Sequence, residues 1–173
     1  MNNSETFKES VSIIIRELSL IYPSNVEIGI SDTTFYRIIM KENKTVLKCD
    51  FVNDSTCYYG ENESSVFFSK IDNPYNILSN KISALPRSEP KDVADILFLS
   101  YKYNFNWSTI IEQAQSKDLW VNPIDVSSLI ETFPINLFDA INWINKPDYL
   151  AAQKHLKQIA KDILLGVDNS LVG

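Results

Sequence analysis

Apolar residues recur along this chain in two rhythms. From Phe7 through Val11, Ile14, Ile15, Leu18 and Ile21 they fall at helical spacing. This predicts an amphipathic helix over residues 5–22, capped at Ser4–Thr6 and stopped by Pro23. The rhythm then shortens to two. Residues 26–31 (VEIGIS), 34–41 (TFYRIIMK) and 45–53 (TVLKCDFVN) read as strands, and the KENK turn at 41–44 makes 34–53 a β-hairpin. A polar loop at 54–65 leads to a short strand at 66–70 (VFFSK) and a turn at 72–74. Beyond it the pattern is helical: 75–85, a helix opening at Pro90, then 106–117, 123–132, 135–145 and 148–165. Asn106 stands as a cap, Pro123 takes a first-turn position after Asn122, and Gly166 ends the last helix.

This layout is an α+β fold. A small, mainly antiparallel or mixed sheet of three or four strands has one helix before it and five or six helices after it. Residues 1–72 form the α/β part, and residues 73–173 form a helical part expected to pack on it as one compact unit.

Composition narrows the function. No apolar run reaches membrane-span length, and VSIII at 11–15 is too short and wrongly flanked for a signal peptide, so the expectation is a cytoplasmic protein. Cys49 and Cys57 have no zinc-motif spacing and read as reduced thiols. His155 is the one histidine, which argues against a zinc site or a histidine-based triad. The net charge of −6 argues against broad duplex binding. Four scattered glycines leave no room for a Walker or GxGxxG loop. Trp107, Trp120 and Trp143 sit in apolar helical or turn patterns and read as core.

Candidate chemistry concentrates in 77–103, ILSNKISALPRSEPKDVADILFLSYKY. Lys81, Arg87, Asp92 and Asp95 fall on two helices broken at Pro86 and Pro90. Ser88 or Glu89 can cap the second helix. Asp92 lies in its first turn, where a carboxylate is favoured, and Asp95 shares its face. Val93, Ile96, Leu97, Phe98 and Leu99 wrap the helix too broadly for a surface element. Two readings stand side by side: a capped helix start with solvated charges, and a site for phosphate and metal. Strand alternation places Leu47, Cys49 and Phe51 on one face of the third strand and Val46, Lys48, Asp50 and Val52 on the other. Asp50 is then either an edge carboxylate or a Mg²⁺ ligand.

The run LSNKISALPRSEPKDVADIL, after the strand LKCDF, resembles the second half of the AbiEii-type nucleotidyltransferase-like toxins. These are bacterial abortive-infection proteins, in toxin–antitoxin pairs, of the DNA polymerase β superfamily. The resemblance spans about residues 5–118 and implies transfer of NMP from a nucleoside triphosphate. Asp50 would be a metal carboxylate for Mg²⁺. Lys81 would meet the phosphates, supported by Arg87. Asp92 and Asp95 match the family's last motif, so Asp50, Lys81, Asp92 and Asp95 are the implied catalytic set. The family's Gly-Ser turn and its closely spaced acidic pair have no counterpart here, which implies a chain that is incomplete and inactive alone.

Three readings follow. The first is a toxin-like domain completed by another chain, such as a complementing or antitoxin protein. The second is a non-catalytic binding or regulatory module on the same fold, with the surface left by the absent strands covered by self-association. The third is a plain helical scaffold in which Lys81, Asp92 and Asp95 point apart.

Overall fold

The computed structural model describes residues 6–23, 25–53, 57–68 and 70–172. The cap expected at Ser4 and Glu5 lies outside them. The chain forms two compact units, Met1–Thr56 and Cys57–Gly173.

In the first unit, helix α1 (Phe7–Ile21) precedes a three-stranded antiparallel sheet, β1 (Val26–Ser31), β2 (Phe35–Glu42) and β3 (Thr45–Val52), with β2 in the centre. The period-two pattern dictates which face is dry. Ile38, on the central strand, is fully buried, as are Phe7 and Val11 of α1, and the Phe7 ring meets Tyr36 edge-on at 5.8 Å. The hairpin closes through Asn43 and Lys44; Asn43 takes φ +54°, which asparagine tolerates better than most residues. β3 pairs with β2 without interruption from Val52 to Thr45. β1 slips register between Ile28 and Ile30, leaving Gly29 as a bulge.

The second unit holds five α-helices among the described residues: α2 (Pro74–Ser83), α3 (Pro90–Lys102), α4 (Trp107–Lys117), α5 (Pro123–Glu131) and α6 (Tyr149–Leu165). Four begin on a side-chain cap. Asn73, Asn106, Asn122 and Asp148 accept from first-turn amides that have no helical partner. Three carry proline at the first position, where its missing N–H costs nothing. Gly166 closes α6 at φ +62°. The buried stripes meet in one core around Ile82, Ile96, Trp107, Ile130, Leu156 and Ile159. Trp107 is fully buried, while the indoles of Trp120 and Trp143 pack at its margin and donate to the Ser83 and Phe138 carbonyls.

The α+β expectation therefore holds, with three strands among the described residues. The segment 66–70 is no strand among its described residues. Ser65 Oγ accepts from the Phe67 and Phe68 amides and Ser65 N donates to Phe68 O, so a serine-centred turn takes the backbone groups a ladder needs. The helix expected at 135–145 is a 3₁₀ segment, Ile135–Ala140, followed by irregular chain. Pro134 opens it, and the Trp143 indole folds back onto the Phe138 carbonyl. Phe98 is not part of the apolar wrap of α3; it faces outward under the Lys102 ammonium. No helix among the described residues is long and apolar enough to cross a membrane.

Candidate functional site

Four of the charged residues singled out in the sequence come together. Lys81 is in the last turn of α2. A 3₁₀ turn, Leu85–Arg87, and Ser88 at φ +54° then reverse the chain into α3. This brings Asp92 and Asp95, one turn apart, under the lysine. Lys81 Nζ is 2.9 Å from Asp92 Oδ1 and 2.7 Å from Asp95 Oδ2. The second oxygen of Asp92 accepts from Arg87 Nη2 at 2.9 Å. The side chain of Asp92 is 6% exposed, against 27% for Lys81, 49% for Asp95 and 64% for Arg87. The centre of the cluster is thus a desolvated carboxylate with a cation on each oxygen. Burial by itself would lower the Lys81 pKa; the hydrogen bonds and charges of Asp95 and Asp92 outweigh it and hold the ammonium above its ordinary value.

Asp50 belongs to the other unit and to a separate ion pair. It stands opposite Arg37 across the β2–β3 ladder. The guanidinium takes both carboxylate oxygens, Nε to Oδ1 at 2.6 Å and Nη2 to Oδ2 at 2.7 Å. This fork pins the carboxyl below its ordinary pKa and raises that of the arginine. The pair lies on the sheet face opposite Ile38, beside Ile30, Ile39 and Val52. A Mg²⁺ ion at Asp50 would have to displace the guanidinium, so the donor set does not suit the metal the resemblance implies. Among the described residues no group of three or more His, Cys, Asp or Glu side chains lies close enough to hold a metal ion.

Sequence reasoning missed Arg37. The signal was present, because counting outward from the Asn43–Lys44 turn puts Arg37 opposite Asp50. It also missed two polar anchors of the helical unit. Lys117 Nζ donates to Asn76 Oδ1, Ser79 Oγ and Asn80 Oδ1 at 2.7, 2.7 and 2.6 Å, which fastens α4 to the polar side of α2. Buried Asp162 accepts from the Ser170 amide and hydroxyl and from Gln158, fixing the segment after α6. The Lys117 anchor does not show in sequence spacing, since its partners lie on α2; of the Asp162 anchor only the Gln158 pair, four residues apart on α6, was there to be read. A cavity of about 280 Å³ is walled by Tyr59, Tyr75, Phe105, Asn106, Thr109 and Gln113, among others. No charged side chain lines it, so it offers no cation for a triphosphate.

Compared with protein-family models, with curated proteins and with solved structures, the chain gives no match in any of the three.

Proposed function

We propose that this chain is a non-catalytic binding module whose partner is a protein. The observation that carries the reading is the imbalance of the first unit. Phe7, Val11 and Ile38 are its buried apolar side chains among the described residues, while Ile30, Val46 and Val52, which share the sheet face opposite Ile38, are each more than a third exposed; on α1, Ile13, Leu20 and Ile21 are exposed as well. A sheet with so small a dry core presents apolar surface of the kind that marks an interaction site. The helical unit adds Val66 and Phe67, 97% and 87% exposed on the Ser65 turn. The ion pairs point the same way. Asp50, Asp92 and Asp95 are each engaged by a cation of their own unit, which leaves them poorly disposed for metal-assisted transfer. The free thiols Cys49 and Cys57 fit the cytoplasmic setting expected from the sequence.

One feature favours a second reading, that of a nucleotidyltransferase-like chain completed by a partner, with a triphosphate at Lys81 and Arg87. The Arg87 guanidinium uses one nitrogen on Asp92, and most of its fork faces solvent. Titration calorimetry with the four nucleoside triphosphates and Mg²⁺ separates the two readings. The binding module gives no heat. Heat that weakens in Arg87→Ala refutes it in favour of the nucleotide site.

A further inference from the structure

We infer that the open edge of β3 is a self-association surface, and that two copies of this chain join β3 to β3 antiparallel about a two-fold axis at Cys49. The inference rests on the binding-module reading and names its partner as a second copy.

The sheet has two outer strands, and they are not equivalent. β1 carries the Gly29 bulge, a device that blunts an edge against further pairing. β3 runs eight residues with unbroken register to β2 and carries neither bulge nor proline. The direction of its backbone groups follows from ladder alternation. Asn53 N donates to Thr34 O, so the odd-numbered residues of this strand turn their N–H and C=O toward β2. Val46, Lys48, Asp50 and Val52 turn theirs outward, away from the sheet.

One register makes the outward groups and the side chains fit together. With Cys49 facing the partner's Cys49, Lys48 stands opposite the partner's Asp50, and Val46 opposite the partner's Val52. These are outward-facing residues on both strands, so each pair exchanges two backbone hydrogen bonds. Lys48 makes no ion pair of its own among the described residues and meets a carboxylate. Asp50 then lies between its own Arg37 and the partner's Lys48, and the two-fold repeats this ladder of alternating charge. On the other face Leu47, 54% exposed, is covered by the partner's Phe51. A shift by two residues ends this complementarity, because like charges then meet or lysine meets an apolar side chain. The result is a continuous six-stranded sheet with β3 and its copy at the centre. Cys49 and its copy form a non-hydrogen-bonded pair there, with Cα atoms about 4.5 Å apart, close enough for a disulfide.

The test uses the full chain with Cys57→Ser, so that Cys49 is its one thiol. Light scattering at about 100 μM gives twice the chain mass. Mild oxidation with diamide, which takes up the two thiol hydrogens, gives a covalent dimer on denaturing gels. Lys48→Pro removes an outward N–H while leaving the β2–β3 bonds in place; it returns the protein to a monomer with unchanged far-ultraviolet circular dichroism. A monomer at this concentration overturns the inference. A dimer that fails to cross-link at Cys49, or that survives Lys48→Pro, overturns it as well. A monomer that gives no heat with nucleotides defeats this inference alone and leaves the binding-module reading with a different protein partner.

Discussion

Replacing Lys81 with methionine tests whether Asp92 is held by its cations. The methionine keeps the length and apolar stem of lysine and removes the charge. Asp95 is half exposed and returns to solvent, so its loss is small. Asp92 is 6% exposed and keeps only Arg87, whose own side chain is 64% exposed. Removing one partner of a buried ion pair costs about 3–5 kcal/mol when the remaining charge has no other partner. With Arg87 still in place the expected cost is about 2 kcal/mol. The double variant Lys81→Met/Asp92→Leu leaves no buried charge in this cluster and regains most of that loss, because apolar groups of similar volume replace such pairs at little cost. Urea unfolding followed by tryptophan fluorescence reads the right unit, since Trp107, Trp120 and Trp143 all lie in Cys57–Gly173. An unchanged midpoint for Lys81→Met, or a double variant weaker than the single, refutes the account of Asp92 as a carboxylate dependent on its cations.

Two further predictions concern the caps and the hairpin. Asn73→Ala removes a cap that accepts from Tyr75 N and Asn76 N, each at 3.0 Å, together with a donor to the Tyr59 and Glu61 carbonyls. The expected loss is about 2 kcal/mol, with faster amide exchange at 57–61; protection equal to the wild type there counts against the anchor. The depressed pKa of Asp50 makes the hairpin pH-dependent. Its ion pair is fully formed above the ordinary carboxyl value of 3.8 and is lost as pH falls through the lower folded value. An NMR titration that follows Asp50 and Arg37 shows the two changing together below that pH, and Asp50→Asn abolishes the transition.

Much of the fold is legible in the chain because short-range rules decide it. Helical spacing, asparagine caps, first-turn prolines and Gly166 mark α1, α2, α4, α5 and α6. Alternation and the turn at 43–44 mark the hairpin. Two elements were misread, and in both a local hydrogen bond competes with the regular ladder. At 66–70 the Phe67 and Phe68 amides turn to the Ser65 hydroxyl, and at 135–145 the backbone closes three-residue bonds (Leu137 N to Pro134 O, Ile141 N to Phe138 O) with the Trp143 indole on the same Phe138 carbonyl; local competition of that kind leaves no periodic trace.

The candidate site divides in the same way. The sequence determined that Lys81, Arg87, Asp92 and Asp95 lie within one helix–turn–helix, and that Asp50 shares a strand face with Lys48, Val46 and Val52. Which charges meet was decided by tertiary structure. Burial of one face of α3 desolvated Asp92 and drew two cations onto it, and the pairing of β2 with β3 set Arg37 across from Asp50. A linear pattern fixes the face a side chain occupies. Only the packing of another element against that face decides whether a carboxylate stays open for chemistry or is closed by a cation.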